Sequence, residues 1–252
     1  MFKHFPKARI PLPSAYQAIY EEHYKRNREG EGAASGIAQK LERWLHRKVA
    51  NDTRGKKQHK TLEIGAGTLN QIAYESDFAR YDIIEPFSSL YANSPHLHAI
   101  NAIYDDIIEI AREQNINRGG AECISPLYDR IISCAVLEHI ANLPEVVAYS
   151  CLLLQNDGVF SAAIPSQGRF LWTMAYKLST GIEFRLKYGL DYDVIMNYEH
   201  INTQAEIIEV CRYFFDSVEK SLFGISDELS LYTHLSCTKP NIHRAKAHLA
   251  SL

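Results

Sequence analysis

Apolar positions along the chain fall into short blocks separated by amphipathic stretches. Blocks at 61–64, 81–85, 97–101, 129–134 and 157–164 are bounded by polar and turn residues and read as buried strands. Helix-period stretches lie between them at 69–78, 87–92, 106–114 and 143–153. Strands alternating with helices predict a parallel sheet covered on both faces. The pattern then changes. Residues 215–223 and 229–238 alternate apolar and polar and are joined by Gly224 to Glu228, which predicts an antiparallel edge pair. Ahead of the sheet, Pro6, Pro11 and Pro13 deny a helix, and Ser14 can cap one over 15–27. Gly30, Gly32 and Gly36 form a link to a second helix over 37–49, where Ile37, Leu41, Trp44 and Leu45 keep the 3.6-residue period. Residues 166–198 interrupt the alternation with aromatic and basic residues, including a short helix near 170–177. Thr203, with Glu206 three residues on, makes a capping box for a helix over 204–214. Residues 241–252 read as a short basic helix or tail.

One stretch carries chemistry beyond the pattern. Lys60-Thr61-Leu62-Glu63-Ile64-Gly65-Ala66-Gly67-Thr68 is a strand end breaking into a glycine loop. Strand, glycine turn and helix form the first half of a nucleotide-binding unit, or an ordinary strand-turn-helix corner. A dinucleotide fingerprint wants a third glycine where Asn70 stands, and the Walker lysine is missing. Glu63, just before the first glycine, repels phosphate and suits a cation. S-adenosylmethionine (SAM), with a sulfonium, an ammonium and no phosphate, has that character. Glu85 stands roughly 20 residues beyond the glycines, where an acid accepts hydrogen bonds from ribose hydroxyls. The plainer alternative is a solvated glutamate before Pro86.

Two further segments complete the picture: Tyr128 to Ile140, reading Y-D-x-I-x-S-x-x-V-L-E-H-I, and an L-L-x-x-x-G-V-F strand entry at 153–160. With the E-x-G-x-G loop and the acid after the second strand, residues 60–165 resemble the class I SAM-dependent methyltransferases. Leu69, where many members carry a further glycine, and Asn156-Asp157-Gly158, in place of a two-glycine turn, depart from that pattern without removing a ligand group. The resemblance implies an α/β fold: a Rossmann-like seven-stranded, mostly parallel sheet with an antiparallel last strand. A helical N-terminal extension and a helical insertion after the fifth strand are added to it. The implied division is 1–58 as extension or lid, 59–240 as SAM-binding domain with 166–203 as a substrate cap, and 241–252 as tail. SAM is the implied cofactor, held by Glu63, Gly65, Ala66, Gly67, Glu85 and Pro86. Asp105 or Asp106, each equally readable as a helix cap, would meet the adenine, and Ser133 and Cys134 the methionine end. Extensions and late insertions recognise acceptors in this family, which nominates Tyr20, His23, Tyr24, Arg169, Arg185 and Tyr198. The Tyr20, His23 and Tyr24 stripe reads equally as packing of its helix on the sheet domain. His200, at the insertion's return, and His139 are the candidate catalytic residues; each has a structural alternative as a histidine bonded to backbone.

Composition narrows the classes. The 252-residue chain is 46% hydrophobic, enough for a sizeable core, and its net charge of −3 with no acidic or basic tail does not call for nucleic acid. Five cysteines without a C-x-x-C pair read as reduced thiols of a cytoplasmic protein. No run approaches the roughly 18 apolar residues of a membrane span, and Lys3 and Lys7 precede no apolar signal core. Methyl transfer from a sulfonium is an in-line displacement that requires no metal. An oxygen acceptor gains from a base near neutral pKa, which suits a histidine. The absence of an N/D-P-P-Y motif tilts the expectation to a hydroxyl of a small polar molecule, first a sugar or polysaccharide precursor. Methylation of nitrogen, or of a lipid or quinone precursor, stays open, as does a homodimer. A nicotinamide-dependent oxidoreductase would want a small residue at Asn70 and no Glu63. A non-catalytic binding protein would have lost the acids that Glu63 and Glu85 retain.

Overall fold

The apolar blocks become a single sheet. Its strands are β1 (His59–Ile64), β2 (Phe78–Ile84), β3 (Ala102–Tyr104), β4 (Tyr128–Cys134), β5 (Leu154–Pro165), β6 (Phe215–Gly224) and β7 (Ser230–Pro240). The computed structural model describes residues 2–20, 36–114, 116 and 126–252, with backbone alone at 36–38. The seven strands lie in the order β3-β2-β1-β4-β5-β7-β6. β1 to β5 are parallel, and β7 runs antiparallel to both β5 and β6. The order reverses direction between β1 and β4, and in open α/β sheets that crevice, beyond the carboxyl ends, receives ligands. Register brings those ends level: Glu63 sits beside Ile83 and Ile132, and Ile64 beside Ile84 and Ser133.

Helices cover both faces: α1 (residues 14–20), α2 (Gly36–Asn51), α3 (Ser88–Tyr91), α4 (Ile107–Glu113) and α5 (Leu143–Leu153). After β5 come α6 (Phe170–Tyr176), α7 (Ile182–Tyr188) and α8 (Asp193–Glu199), then α9 (Gln204–Phe214) and α10 (Ile242–Leu249). One core packs α4, α5, α9 and α10 on the sheet through residues such as Ile110, Val147, Phe214 and Leu249. The other holds Leu45 and Val49 of α2 against Ile83 and Ile132. The capping box forms as read: Thr203 Oγ1 accepts from Glu206 N, and Glu206 Oε2 accepts from Thr203 N.

Two expected elements differ. In place of a helix over 69–78, Leu69 takes a left-handed conformation (φ 66°) and a single 3-10 turn, Asn70–Tyr74, follows. Leu69 is fully buried in the α2-side core, so its packing holds the chain out of helical register. In place of a strand over 97–101, Leu97–Ala99 is a 3-10 turn and β3 starts at Ala102. Asn101 explains the shift: its side-chain Oδ1 accepts from Tyr81 N while its own N donates to Tyr81 O, so β2 is capped there before the ladder begins.

The insertion carries its own small core of Phe184 and Ile195 closed by Leu12 and Tyr16 of the N-terminal segment. Tyr16 stacks on Phe184, and its hydroxyl accepts from Asp191 N. The described part of α1 therefore packs on the insertion, not on the sheet. No described helix is long and apolar enough to cross a membrane.

Candidate active site

β1 leaves the sheet through Gly65 (φ 71°) and Gly67 (φ 52°), conformations that glycine adopts without strain. A Cβ at Gly65 would come within 2.5 Å of a methyl of Val136, so only glycine lets the loop cross the exit of β4. Above Gly67 a Cβ would meet nothing within 4 Å, which leaves room for a ligand against the backbone. Glu85, at the end of β2, ties the two loops together. Its Oε2 accepts from Gly67 N at 2.9 Å and its Oε1 from Phe87 N at 3.0 Å.

Two cavities open here. A cleft of about 480 Å³ is lined by Glu63, Gly65, Ala66, Gly67, Glu85 and Cys134, with His46, Phe87 and Leu90 around them. A second space, about 230 Å³ and largely apolar, lies among Ile64, Ile84, Ile107 and Val146, with Asp105 and Asp106 at its edge. Gly65, Pro86 and Val136 line both, so the two adjoin. Asp106 is the N-cap of α4, accepting from Glu109 N, while Asp105 N donates to Glu109 Oε2.

Glu63 is almost fully buried, and Tyr81 of β2 donates to its Oε2 at 2.8 Å. Burial pushes its carboxyl up to about 8 against the lowering pull of that bond, which makes it an acid waiting for a cation. Cys134 donates to Gln71 Oε1, and burial holds its thiol well above the ordinary range, so it lines the cleft as a neutral group. Ser133 faces the opposite side of the sheet, fully buried and outside both cavities; its hydroxyl has no hydrogen-bond partner among the described residues. The strand's two-residue alternation separates it from Cys134. His46, on α2, reaches the cleft through its bond to Gln71 and its stacking on Tyr74. The sequence gives no sign of that, because the contact depends on how α2 packs.

No family model matches the sequence, and no curated protein matches it. Solved structures match the fold. The CurJ carbon methyltransferase aligns over 91% of this chain at 16% identity with a TM-score of 0.57; this chain spans 62% of that one. The 1,6-didemethyltoxoflavin-N1-methyltransferase of Burkholderia thailandensis, solved with S-adenosylhomocysteine (SAH), aligns over 93% of both chains at 13% identity and TM-score 0.55. The plantazolicin methyltransferase BamL, also solved with SAH, covers 90% of this chain and 94% of its own at 10% identity and TM-score 0.54. The chain has the class I SAM-dependent methyltransferase fold.

Val136, just after β4, lines both cavities, and the residues that follow it form a second group. Glu138 and His139 sit in the 3-10 turn Leu137–His139, and His200 ends α8. The two imidazoles meet edge to face with centroids 4.8 Å apart. Trp172 of α6 stacks over His200. Burial, with His139 beside it, pushes His200 down to about 3, and burial lowers His139 as well. Burial pushes Glu138 up to about 8. The sequence expectation of a histidine base near neutral pKa thus meets an environment that makes His200 a weak base, because the buried ring resists charge. The turn is fastened by Asn202, whose Nδ2 donates to Leu137 O and Ile140 O, and by Arg9, which donates to His139 O.

The expected acceptor residues scatter. Tyr198 packs against Tyr20 and lies under the Arg9 guanidinium. Arg169 is engaged by Gln204 and Glu228 and faces a different groove, beside Arg212 and Lys220. Arg185 lies on the outer side of the insertion near Asp191 and Asp193. None of the three lines the cleft, and Arg169 is committed to Glu228, so among the described residues no free guanidinium meets a substrate anion there. His23 and Tyr24 lie outside the described residues.

Proposed function

We propose that the chain transfers a methyl group from SAM to a small polar acceptor, with a hydroxyl oxygen of a sugar or polysaccharide precursor as the first candidate. The supporting observation is the pair of adjoining cavities at the β1/β4 switch point, with an acid facing each part a SAM molecule would present. Bound SAM supplies a methyl carbon already activated by a sulfonium. Glu63 suits its cationic end, and Glu85 suits ribose hydroxyls, each oxygen keeping a lone pair beyond its backbone bond. The apolar space beside Asp105 and Asp106 suits a purine. Gly65, Ala66, Gly67, Pro86 and Cys134 supply close walls. The protein's task is to hold the acceptor within attack distance and exclude water. We assign His139 and His200 to the acceptor end. With rings kept neutral by burial, they offer lone pairs that orient a hydroxyl. Leu12 and Tyr16 share the core around Phe184 with the insertion, and we assign 1–58 and 166–203 to the cover over that end of a domain spanning 59–240, with 241–252 as a tail.

Turnover tests this reading. Purified protein with SAM and a panel of sugar nucleotides, catechols, amines and quinone precursors is expected to release SAH and leave a methyl mass increment on a hydroxyl. Methylation confined to amines would move the assignment to nitrogen. SAM binding with no methylated product across the panel would favour a binding role instead.

A further inference from the structure

The group after β4 holds more than a pair of histidines. One ligand atom each from Glu138, His139 and His200 lies within 4.8 Å of the others. The tautomers follow from their partners. His139 Nδ1 lies 2.8 Å from Glu199 O, a carbonyl that can only accept, so Nδ1 carries the proton. Gln167 Oε1 accepts from Trp172 Nε1, an indole that can only donate, which fixes that atom as the amide oxygen; it then accepts from His200 Nδ1 at 3.3 Å. Both Nε2 atoms therefore carry lone pairs, and neither has a donor among the described residues. Glu138 is 1% exposed. Its Oε1 stops 3.8 Å from His139 Nε2, outside hydrogen-bond reach, and its Oε2 is buried without a partner.

Two imidazole lone pairs and a buried carboxyl thus converge. A buried polar atom without a partner costs free energy, and a cation held between the rings and Glu138 removes that cost at the carboxyl. We propose that Glu138, His139 and His200 bind one divalent transition-metal ion. Two imidazoles and a carboxylate suit manganese, iron, cobalt or zinc better than magnesium or calcium, which prefer oxygen alone. The outer partners are those a metal site uses: Glu199 O and Gln167 Oε1 orient the rings through their far nitrogens. Three protein ligands leave positions for water or an acceptor oxygen. An ion there would lower the pKa of a bound hydroxyl. That last role rests on the methyltransferase reading; the metal site does not.

The test uses full-length protein stripped with a chelator and titrated with Co²⁺, read by its visible absorption, and with Zn²⁺, read calorimetrically, both without SAM. One saturable equivalent is expected, with affinity reduced at least about 10-fold in Glu138→Gln and in His200→Ala and unchanged in His98→Ala, an exposed control. Thermal unfolding and SAM titration of the variants confirm that they fold. No saturable uptake, or uptake equal in the wild type and both ligand variants, would overturn the proposal while leaving the SAM site standing. Metal uptake by a protein that binds no SAM would do the reverse.

Discussion

At the scale of single residues, Glu63 carries the sharpest expectation. Its free carboxyl is pushed up to about 8 by burial, so at pH 7 it is mostly protonated. A cationic ligand beside it favours the ionised form, and binding expels the proton. The release is confined to the window between the ordinary carboxyl range and about pH 8; above that the group is already ionised. Calorimetry of SAM at pH 7 in buffers of different ionisation enthalpy is expected to show release approaching one proton, abolished in Glu63→Gln. An equal release in that variant would place the proton elsewhere. Glu63 and Glu85 were legible in the sequence because their offsets from the glycines are fixed by the strand-loop-strand path. His46 was not, since a contact from α2 is a tertiary event. The weak basicity of His200 was equally hidden: it comes from burial under Trp172 and beside His139.

At the scale of elements, the glycine loop depends on an ion pair beneath it. Arg130 of β4 donates from both terminal nitrogens to Glu75, at the end of the 3-10 turn, and from one of them to Val49 O at the end of α2. Both side chains are fully buried. The pair locks the sheet, the turn and α2 together. Removing one partner leaves a buried charge, so Glu75→Ala is expected to cost about 3–5 kcal/mol in urea unfolding. The double variant Glu75→Leu/Arg130→Met should recover most of that loss; a single variant within about 0.5 kcal/mol of wild type would show the pair to be incidental. Alternating strands and helices read correctly wherever apolar periodicity governs, as in α5, α9 and the β6–β7 pair. They failed where a side chain competes with the ladder. Asn101 displaced β3, and the buried left-handed Leu69 shortened a helix to one turn.

At the scale of the whole molecule, sheet order and cleft follow from the motifs between residues 60 and 165. Outside that span, the packing of the N-terminal segment and of the insertion was less legible. The N-terminal tyrosines pointed to a packing face without saying which surface it meets, and Tyr16 proves to join the insertion's core. Arg169 was legible as a basic residue of the insertion, but its commitment to Glu228, distant in sequence, was not. The account as a whole stands on the cleft at the β1/β4 switch point being a SAM site. The most direct measurement is calorimetric titration of the purified protein with SAM, SAH and NAD(H), repeated on Glu85→Ala. Saturable binding of both adenosyl ligands and none of NAD(H), weakened about 10-fold or more by Glu85→Ala (about 1.4 kcal/mol), is the expected result. Binding of NAD(H) alone, or SAM affinity unchanged in a folded Glu85→Ala variant, would contradict it.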